Sequence, residues 1–186
     1  MRIISGKLKG KKISFLKITS TRPLKDSVKE SVFNILTHSN LLNVNLENSN
    51  ILDLYSGFGS FGLECISRGA KKITFVEKNE VVAKILKKNL LDLGLKKEAT
   101  VITGDINSFL KKDSHEKYEI IFLDPPFANS SYLQELRLIK QEKIYKKEHV
   151  IIIHRDRKTL EDLKDIFNPI IIKQYGRSKI IIGKFL

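Results

Sequence analysis

Cysteine, histidine and long apolar runs are scarce in this chain of 186 residues. The single cysteine, Cys65, can form neither an internal disulfide nor a zinc site built from cysteines, and the four histidines show no metal-ligand spacing. No apolar run approaches the roughly 18 residues of a membrane-spanning helix. Residues 1–7 lack the apolar region of a signal peptide. We therefore expect a soluble, cytoplasmic protein without a metal or a membrane partner.

Acidic residues are outnumbered, and the imbalance is uneven along the chain. The sequence has 34 lysines and arginines against 21 aspartates and glutamates, a formal net charge of +13. Such an excess favours a polyanionic partner. Residues 1–30 alone hold nine basic and two acidic residues. We interpret this stretch as an arm that contacts the phosphates of structured RNA; the alternative is a solvated lysine-rich surface.

Short apolar runs rich in β-branched residues alternate with longer amphipathic stretches. Parallel strands covered on both faces are predicted at residues 51–55, 73–77, 100–103, 119–124 and 149–154. Helices are predicted at 60–68 and 81–93, where they end before Gly69 and Gly94. Strand and helix repeated at this spacing predict an α/β fold with a doubly wound, mainly parallel sheet.

Both ends of the chain depart from this alternation. Residues 170–174 and 179–185 predict two strands whose four-residue connection allows only an antiparallel hairpin. Residues 1–20 predict another hairpin, and an amphipathic helix follows Pro23. The polar stretch 43–50 is the best candidate linker. We therefore predict an N-terminal hairpin and helix extension at 1–45 and a main domain at 46–186.

A glycine-rich loop follows the first predicted strand. Gly57, Gly59 and Gly62 match the G-x-G-x-x-G pattern of dinucleotide sites, and Glu77 has the spacing of the ribose contact. A nicotinamide-dependent oxidoreductase is therefore one hypothesis. However, Asp53 lies in the strand just before the loop, where its carboxylate would repel a pyrophosphate and attract a cation. The cationic S-adenosylmethionine suits this loop better; the alternative role for Asp53 is to cap backbone N–H groups of the loop.

Three further acidic residues end or follow the neighbouring strands. Glu77 ends the second predicted strand, Asp105 follows the third, and Asp124 ends the fourth. In a parallel sheet these positions line the carboxyl-end rim, where ligands bind. Glu77 is suited to ribose hydroxyls, and Asp105, with Ile106 beside the ring, is suited to an adenine amino group. The alternatives are a solvated strand end for Glu77 and a helix N-cap for Asp105.

The tetrapeptide Asp124-Pro125-Pro126-Phe127 carries the most specific chemistry. Its two prolines fix the backbone and lack N–H donors, which leaves the Asp124 carboxylate and the Pro125 carbonyl as rigid acceptors. Two convergent acceptors suit an exocyclic amine, because accepting both N–H bonds aims the nitrogen lone pair at an electrophilic methyl group. Phe127 can stack on the base, which must leave any stack to enter. The alternative is a rigid strand exit without chemistry.

The chain resembles class I S-adenosylmethionine-dependent N-methyltransferases in the order of these motifs. That order is Asp53 with the glycine-rich loop, then Glu77, then Asp105, then the tetrapeptide at 124–127. More narrowly, the chain resembles the RsmD family of small-subunit ribosomal RNA guanine-N2 methyltransferases over essentially its whole length. The segments that carry this resemblance are 1–10, 21–23, 28–36, 62–64 and 67–70. The resemblance implies a Rossmann-like fold of seven strands, mainly parallel, with an antiparallel terminal strand.

The resemblance also implies an activity. A methyl group would pass from S-adenosylmethionine to a guanine N2 of 16S ribosomal RNA, and S-adenosylhomocysteine would be released. The RNA would be bound by a monomer, either as naked RNA or within an assembled small subunit. Residues 1–45 would form the RNA-binding arm and residues 46–186 the catalytic domain.

Individual residues receive roles on the same grounds. The predicted catalytic residues are Asp124, Pro125, Pro126 and Phe127. The predicted cofactor contacts are Asp53, Ser56, Gly57, Gly59, Glu77, Asp105 and Ile106. The predicted RNA contacts are Arg2, Lys7, Lys9, Lys11, Lys12, Thr21 and Arg22.

Some features depart from the family pattern or leave other hypotheses open. Phe58 replaces a small residue and Tyr55-Ser56 replaces Phe-Ala, so we expect a bulkier cofactor loop. Residues 175–179 are more basic than the family pattern. The tetrapeptide is also compatible with methylation of adenine N6 in DNA or RNA. A further hypothesis is an RNA-binding module that has no catalytic activity. We interpret His154 as structural or rim-lining and Cys65 as a core residue.

Overall fold

The computed structural model describes residues 1–16, 24–112, 116–129, 131–160, 162–163 and 165–186. Thr21 and Arg22, two of the predicted RNA contacts, lie outside the described residues. The strands are β1 (Asn50–Leu54), β2 (Lys72–Glu77), β3 (Ala99–Thr103), β4 (Tyr118–Leu123), β5 (Tyr145–Asp156), β6 (Phe167–Tyr175) and β7 (Ser178–Phe185). The helices are α1 (Asp26–His38), α2 (Ser60–Ser67), α3 (Glu80–Asp92), α4 (Ile106–Leu110) and α5 (Tyr132–Gln141).

The seven strands form one sheet in the order β3-β2-β1-β4-β5-β7-β6. The first five strands in this order are parallel to their neighbours, whereas β7 is antiparallel to both β5 and β6. This confirms the predicted fold class, including the antiparallel insertion of the last strand. The strand order reverses between β1 and β4, so a crevice opens beyond the carboxyl ends of these two strands, where α/β sheets bind their ligands.

Alternate residues of the central strands pack on opposite faces of the sheet. In β1, Ile51 and Leu52 are both fully buried, but they belong to two different hydrophobic clusters. Residues of α1, α2 and α3 contribute to the first cluster, and residues of α4 and α5 contribute to the second. Because both faces are covered, these strands are apolar at nearly every position. In β1, Asn50 is polar and half-buried at the start of the strand, whereas Asp53 is a charged residue that is only 1% exposed.

Strand β5 is longer than its apolar run predicts. The sequence predicted residues 149–154, whereas the strand runs from Tyr145 to Asp156. Its first five residues are half-buried or exposed and include three charged side chains, so they carry no apolar signal. Pairing extends β5 at both ends, because Tyr118 of β4 pairs with Tyr145 and Ser178 of β7 pairs with Asp156.

The described N-terminal residues, 1–16, form a compact turn that is closed by an antiparallel bridge between Arg2 and Lys12. Within these residues the predicted hairpin is present as this bridge and not as two extended strands, and positions 17–20 of the prediction lie outside the described residues. The reason is that the backbone N–H groups of Ile4 and Ser5 donate to the Glu64 carboxylate of α2, at 2.8 and 2.9 Å. These donors are unavailable for a strand ladder.

Helix α1 packs on the same face of the sheet as α2. Phe33 of α1 stacks on Phe61 of α2, with ring centroids 5.3 Å apart, and Phe61 stacks on Phe122 of β4 at 4.0 Å. Ile3 and Ile13 of the N-terminal turn belong to the same cluster. Described residues from both sides of the predicted boundary at 45 and 46 thus share the first hydrophobic cluster. Across the described ranges, no helix combines the length and apolarity needed to cross a membrane.

Candidate active site

The loop after β1 is held in a left-handed conformation at three positions. Tyr55, Gly57 and Gly59 have φ values of 60°, 55° and 85°. The left-handed backbone favours glycine at Gly59, where a Cβ atom would also lie 2.4 Å from Leu86 Cδ1 of α3 and require this side chain to shift. Ser56 fastens the loop to β2, because its backbone N–H and its hydroxyl both donate to the Val76 carbonyl, at 3.1 and 3.3 Å.

Asp53 is a buried acid at the centre of this region. Its Oδ2 accepts a hydrogen bond from the Gly62 N–H in the first turn of α2, at 3.1 Å. Burial raises the pKa of Asp53 well above its usual value, and the negative charges of Asp124 and Glu77 raise it further. The capping role considered for Asp53 is therefore present. The charges of Asp124 and Glu77 thus act on Asp53, and a ligand with positive charge would be favoured beside these acids.

Glu77 braces the glycine loop with both carboxylate oxygens. Its Oε2 accepts from the Gly57 N–H and its Oε1 from the Asn79 N–H, each at 2.8 Å. The side chain is 8% exposed, so Glu77 is not a solvated strand end. The ends of β2 and β3 also meet, because the Gly104 N–H donates to the Glu77 carbonyl at 3.0 Å. The rim predicted from the sequence is thus continuous across β1, β2 and β3.

Asp105 is the N-cap of α4. Its Oδ2 accepts from the Ser108 N–H at 3.0 Å and from the Ser108 hydroxyl at 3.3 Å. Asp105 is exposed, whereas Ile106, the first residue of the helix, is buried. The N-cap role weighed in the sequence is therefore present, and an additional contact of Asp105 with a cofactor stays a prediction.

The tetrapeptide at residues 124–127 leaves β4 beside β1 and is held by two consecutive residues of β5. The Asp124 N–H donates to the Leu54 carbonyl at 3.4 Å, and Asp124 Oδ1 lies 2.7 Å from His154 Nδ1. The Arg155 guanidinium donates to the carbonyls of Pro126 and Phe127, at 3.1 and 3.0 Å. The backbone of the tetrapeptide is therefore fixed by side chains from the neighbouring strand as well as by its own prolines.

The sequence did not predict that Arg155 and His154 contact the tetrapeptide. The register of the sheet explains these contacts, because Leu123 of β4 pairs with Ile153 of β5. In parallel strands that pairing places residue 154 next to residue 124. Arg155 stacks over the ring of Tyr132 at 4.5 Å, and burial lowers its pKa below the usual value despite the nearby charge of Asp124.

A hydrogen-bonded cluster links the glycine loop to the segment after the tetrapeptide. The Tyr55 hydroxyl donates to Glu135 of α5, at 2.7 Å from each carboxylate oxygen, and accepts from Asn129 Nδ2 at 3.4 Å. Glu135 is buried, and burial raises its pKa above the usual value. Burial and the bond to Glu135 likewise raise the pKa of Tyr55. Tyr55 thus anchors both loops that border the crevice.

Phe58, the other departure from the family pattern, turns into the protein. Its side chain is 3% exposed, and its ring meets the edge of Phe15 with centroids 6.4 Å apart. The carbonyl of Phe58 accepts from Asn89 Nδ2 at 3.3 Å. The expected bulk is therefore absorbed by packing against the N-terminal segment and does not project from the loop.

The predicted RNA contacts in the described part of the N-terminal segment are exposed. They are Arg2, Lys7, Lys9, Lys11 and Lys12. Arg2 lies 3.6 Å from Asp26 of α1, with 69% of its side chain exposed. The backbone between these side chains docks on the end of α2, where the Lys7 N–H donates to the Ser67 carbonyl at 2.7 Å.

The structure thus brings together most of the predicted cofactor residues at one crevice. Asp53, Glu77 and Asp124 interact electrostatically there, and the glycine loop lies between the first two. Buried acids beside this loop suit a ligand that carries an ammonium and a sulfonium and lacks phosphate. Among the residues that the structure describes, no group of three or more His, Cys, Asp or Glu side chains could hold a metal ion.

Comparison with known proteins identifies the family. The model of the family described as Conserved hypothetical protein 95 matches residues 1–184. The "Ribosomal RNA small subunit methyltransferase D" proteins of Buchnera aphidicola subsp. Acyrthosiphon pisum and Haemophilus influenzae are 35% and 36% identical to this chain. Each alignment covers 84% of this chain, and 78% and 79% of the respective relative.

A solved structure agrees with these sequence relatives. The "Putative methyltransferase yhhF from Escherichia coli" superposes with a TM-score of 0.85 at 26% identity, and it covers 100% of this chain and 97% of its own. These matches confirm the resemblance that the motifs indicated. The chain therefore belongs to this family, the RsmD family of class I S-adenosylmethionine-dependent methyltransferases.

Proposed function

We propose that this protein transfers a methyl group from S-adenosylmethionine to the exocyclic N2 of a guanine in the 16S ribosomal RNA of the small subunit. The observation that carries the proposal is the position of Asp124-Pro125-Pro126-Phe127 beside Asp53 at the reversal of strand order. The names of the Buchnera and Haemophilus relatives support ribosomal RNA as the substrate class. They give no support to the oxidoreductase and non-catalytic hypotheses.

S-adenosylmethionine would supply an electrophilic methyl group at this crevice. The backbone of Ser56, Gly57 and Gly59 would approach the amino-acid end of the cofactor, and the acid at Asp53 would face its positive charges. Glu77 would keep bracing the loop while its remaining lone pairs accept from the ribose hydroxyls. Asp105 and the buried side chain of Ile106 would border the adenine, as the exit from β3 allows.

The tetrapeptide would position the acceptor. The Asp124 carboxylate and the Pro125 carbonyl would each accept one N–H of the exocyclic amine, so that its lone pair points at the methyl group. The new N–CH₃ bond forms as the S–CH₃ bond breaks, and S-adenosylhomocysteine leaves. The nitrogen then gives up one proton, for which the Asp124 carboxylate is the adjacent acceptor. Phe127 would stack on the base.

The direct test is labelled-methyl transfer to 16S ribosomal RNA and to small subunits, followed by mapping of the modified base. Asp124→Ala should lose nearly all transfer while it retains binding of S-adenosylmethionine. Asp92→Ala is the matched control, because Asp92 lies at the exposed end of α3 and pairs only with Lys88 among its described contacts. Transfer by Asp124→Ala at the wild-type rate would refute the catalytic assignment, and a label on adenine N6 would favour the adenine alternative.

The N-terminal segment would hold the RNA. We propose that residues 1–45 form an RNA-binding arm, with Arg2 and Lys7, Lys9, Lys11 and Lys12 on phosphates and with Thr21 and Arg22 contributing from outside the described residues. The exposure of the described basic residues supports this proposal. Each phosphate contact adds about 0.7–0.9 to the slope of log affinity against log salt.

Changing the four lysines together to alanine should therefore weaken RNA binding and reduce the salt slope by roughly 3. Binding of S-adenosylmethionine should be unaffected. The matched control replaces four exposed lysines elsewhere, namely Lys71, Lys84, Lys96 and Lys97. A salt slope that is equally reduced in both quadruple variants would show that net charge, and not the arm, binds the RNA.

A further inference from the structure

We propose that His154 is a positioning residue for methyl transfer, which holds the Asp124 carboxylate in the orientation that receives the exocyclic amine. The inference rests on the proposed function, because His154 has this task only if Asp124 contacts the substrate. The geometry follows from the sheet: Leu123 pairs with Ile153, so Asp124 and His154 leave neighbouring parallel strands side by side.

The contact itself assigns the direction of the hydrogen bond. His154 Nδ1 lies 2.7 Å from Asp124 Oδ1, and an ionised carboxylate can only accept. We therefore assign the proton to Nδ1. This bond fixes the rotation of the carboxylate about its Cβ–Cγ bond. The Asp124 side chain is 22% exposed and that of His154 only 10%, so the carboxylate is the more accessible member of the pair.

The second ring nitrogen distinguishes positioning from proton relay. His154 Nε2 is buried and has no hydrogen-bond partner among the described residues. A histidine that relays a proton needs a partner on each nitrogen, one to give the proton and one to take it. Among the described residues Nε2 meets no such group, so we assign His154 to positioning, and the proton released by the amine would stay with the partly exposed carboxylate of Asp124.

His154 also supports the far end of the tetrapeptide. The Phe127 ring meets the His154 ring edge-on, with centroids 5.5 Å apart and planes at 77°. The imidazole therefore has two separable tasks, a hydrogen bond to Asp124 and a packing contact with Phe127. A useful experiment must remove one of these tasks and keep the other.

Two substitutions separate the tasks. His154→Asn retains a donor, because its amide nitrogen can occupy the place of Nδ1, whereas His154→Phe retains an aromatic ring and removes the donor. We expect His154→Phe to lower kcat for methyl transfer by roughly 10- to 100-fold, as misplaced catalytic groups do, with little change in KM for S-adenosylmethionine or RNA. His154→Asn should stay within about threefold of wild type, since the positioning bond is kept.

The control is His149→Asn, which removes an imidazole from the same strand at a position remote from Asp124. His149 Nε2 accepts from the Phe185 N–H at 3.2 Å, so this variant also loses a hydrogen bond within the sheet. Thermal unfolding of all three variants separates loss of stability from loss of rate. The Nδ1 proton of His154 gives a second readout, because its NMR signal should be present in the wild type and shifted in Asp124→Ala.

Two results would overturn the proposal. Wild-type kcat in His154→Phe would show that Asp124 needs no support from this residue. A kcat in His154→Asn as low as that in His154→Phe would show that a retained donor does not rescue transfer, so that the hydrogen bond to Asp124 is not what sets the rate. Both results are distinct from failure of the proposed function, which would appear as full activity in Asp124→Ala or as no transfer to RNA by the wild type.

Discussion

Gly6 and Gly10 form a matched pair for testing how the N-terminal segment is attached. Both have left-handed backbones, with φ values of 78° and 83°. A Cβ atom at Gly6 would lie 1.9 Å from the Ser67 carbonyl oxygen and 2.7 Å from Ser67 Oγ, whereas a Cβ atom at Gly10 would meet nothing within 4 Å. Alanine at either position incurs the same backbone strain. Only alanine at Gly6 must also displace the segment from α2.

The expected costs follow from these contacts. Left-handed alanine costs about 1–2 kcal/mol, and this is the whole effect expected for Gly10→Ala. Gly6→Ala must also break the bonds from the Lys7 and Leu8 N–H groups to the carbonyl and hydroxyl of Ser67, now 2.7 and 2.9 Å long. With the shorter bond from the Ser67 hydroxyl to the Ser5 carbonyl, three bonds at about 0.5–1.5 kcal/mol each add roughly 2–4 kcal/mol.

Urea unfolding of the two variants and of the wild type measures this difference. We expect Gly6→Ala to have the lower midpoint, with the slope of the transition unchanged if the protein still unfolds in one step. Limited proteolysis should cut Gly6→Ala within residues 1–16 faster than Gly10→Ala, because the undocked segment is accessible. Free energies of unfolding that agree within about 0.5 kcal/mol would refute the docking of Gly6 on Ser67.

Two further predictions concern the crevice. Folding raises the pKa of Asp53, so its contribution to stability is complete at low pH and is lost as the pH rises through the folded-state pKa. Asp53→Asn should therefore gain stability relative to wild type over the pH range that begins at the unfolded-state pKa of about 3.9 and ends at the folded-state pKa, and it should bind S-adenosylmethionine more weakly. A stability difference that is constant over that range would contradict this. Tyr55→Phe removes the donor to both oxygens of buried Glu135, which should cost about 1–3 kcal/mol in thermal unfolding; a change below about 0.5 kcal/mol would show that Glu135 is satisfied without Tyr55.

The strands at the centre of the sheet were predictable because each is buried on both faces. Within the run predicted at residues 119–124, positions 120–123 are all apolar and buried, and that is the signature of covered parallel strands. The start of β5 was not predictable, since its first residues are charged or exposed and are recruited only by pairing with β4. The N-terminal hairpin was predicted as two strands, but the described residues 1–16 contain only the bridge between Arg2 and Lys12. Its amides at Ile4 and Ser5 donate to a carboxylate about sixty residues away, and no local pattern encodes such a contact.

The acids of the candidate site were predictable for a topological reason. The carboxyl ends of parallel strands share one edge, so acids that end or follow successive strands must meet there. The supporting residues need knowledge of which strands are neighbours: His154 and Arg155 reach the tetrapeptide only because β5 lies next to β4. Tyr55 and Glu135 required the position of α5 as well. Thus the acids at the strand ends could be predicted from the sequence pattern, whereas the residues that support them could not, because the pattern does not give the order of the strands in the sheet.

One buried cation connects the basic segment to the cofactor loop. Lys29 of α1 is 1% exposed, and its Nζ donates to the Arg2 carbonyl at 3.0 Å and to Ser60 Oγ, at the start of α2, at 3.5 Å. Its charge is balanced by Glu64, fully buried and 3.8 Å away. Lys29 also pairs with Asp26 at 3.6 Å, and Glu64 pairs with Arg68 at 2.9 Å. Separating the N-terminal segment from α2 would disrupt this network around two buried charges, which disfavours the separation. The proposed RNA arm is therefore held at a fixed position relative to the glycine loop, as a surface must be if it is to deliver one base to one crevice.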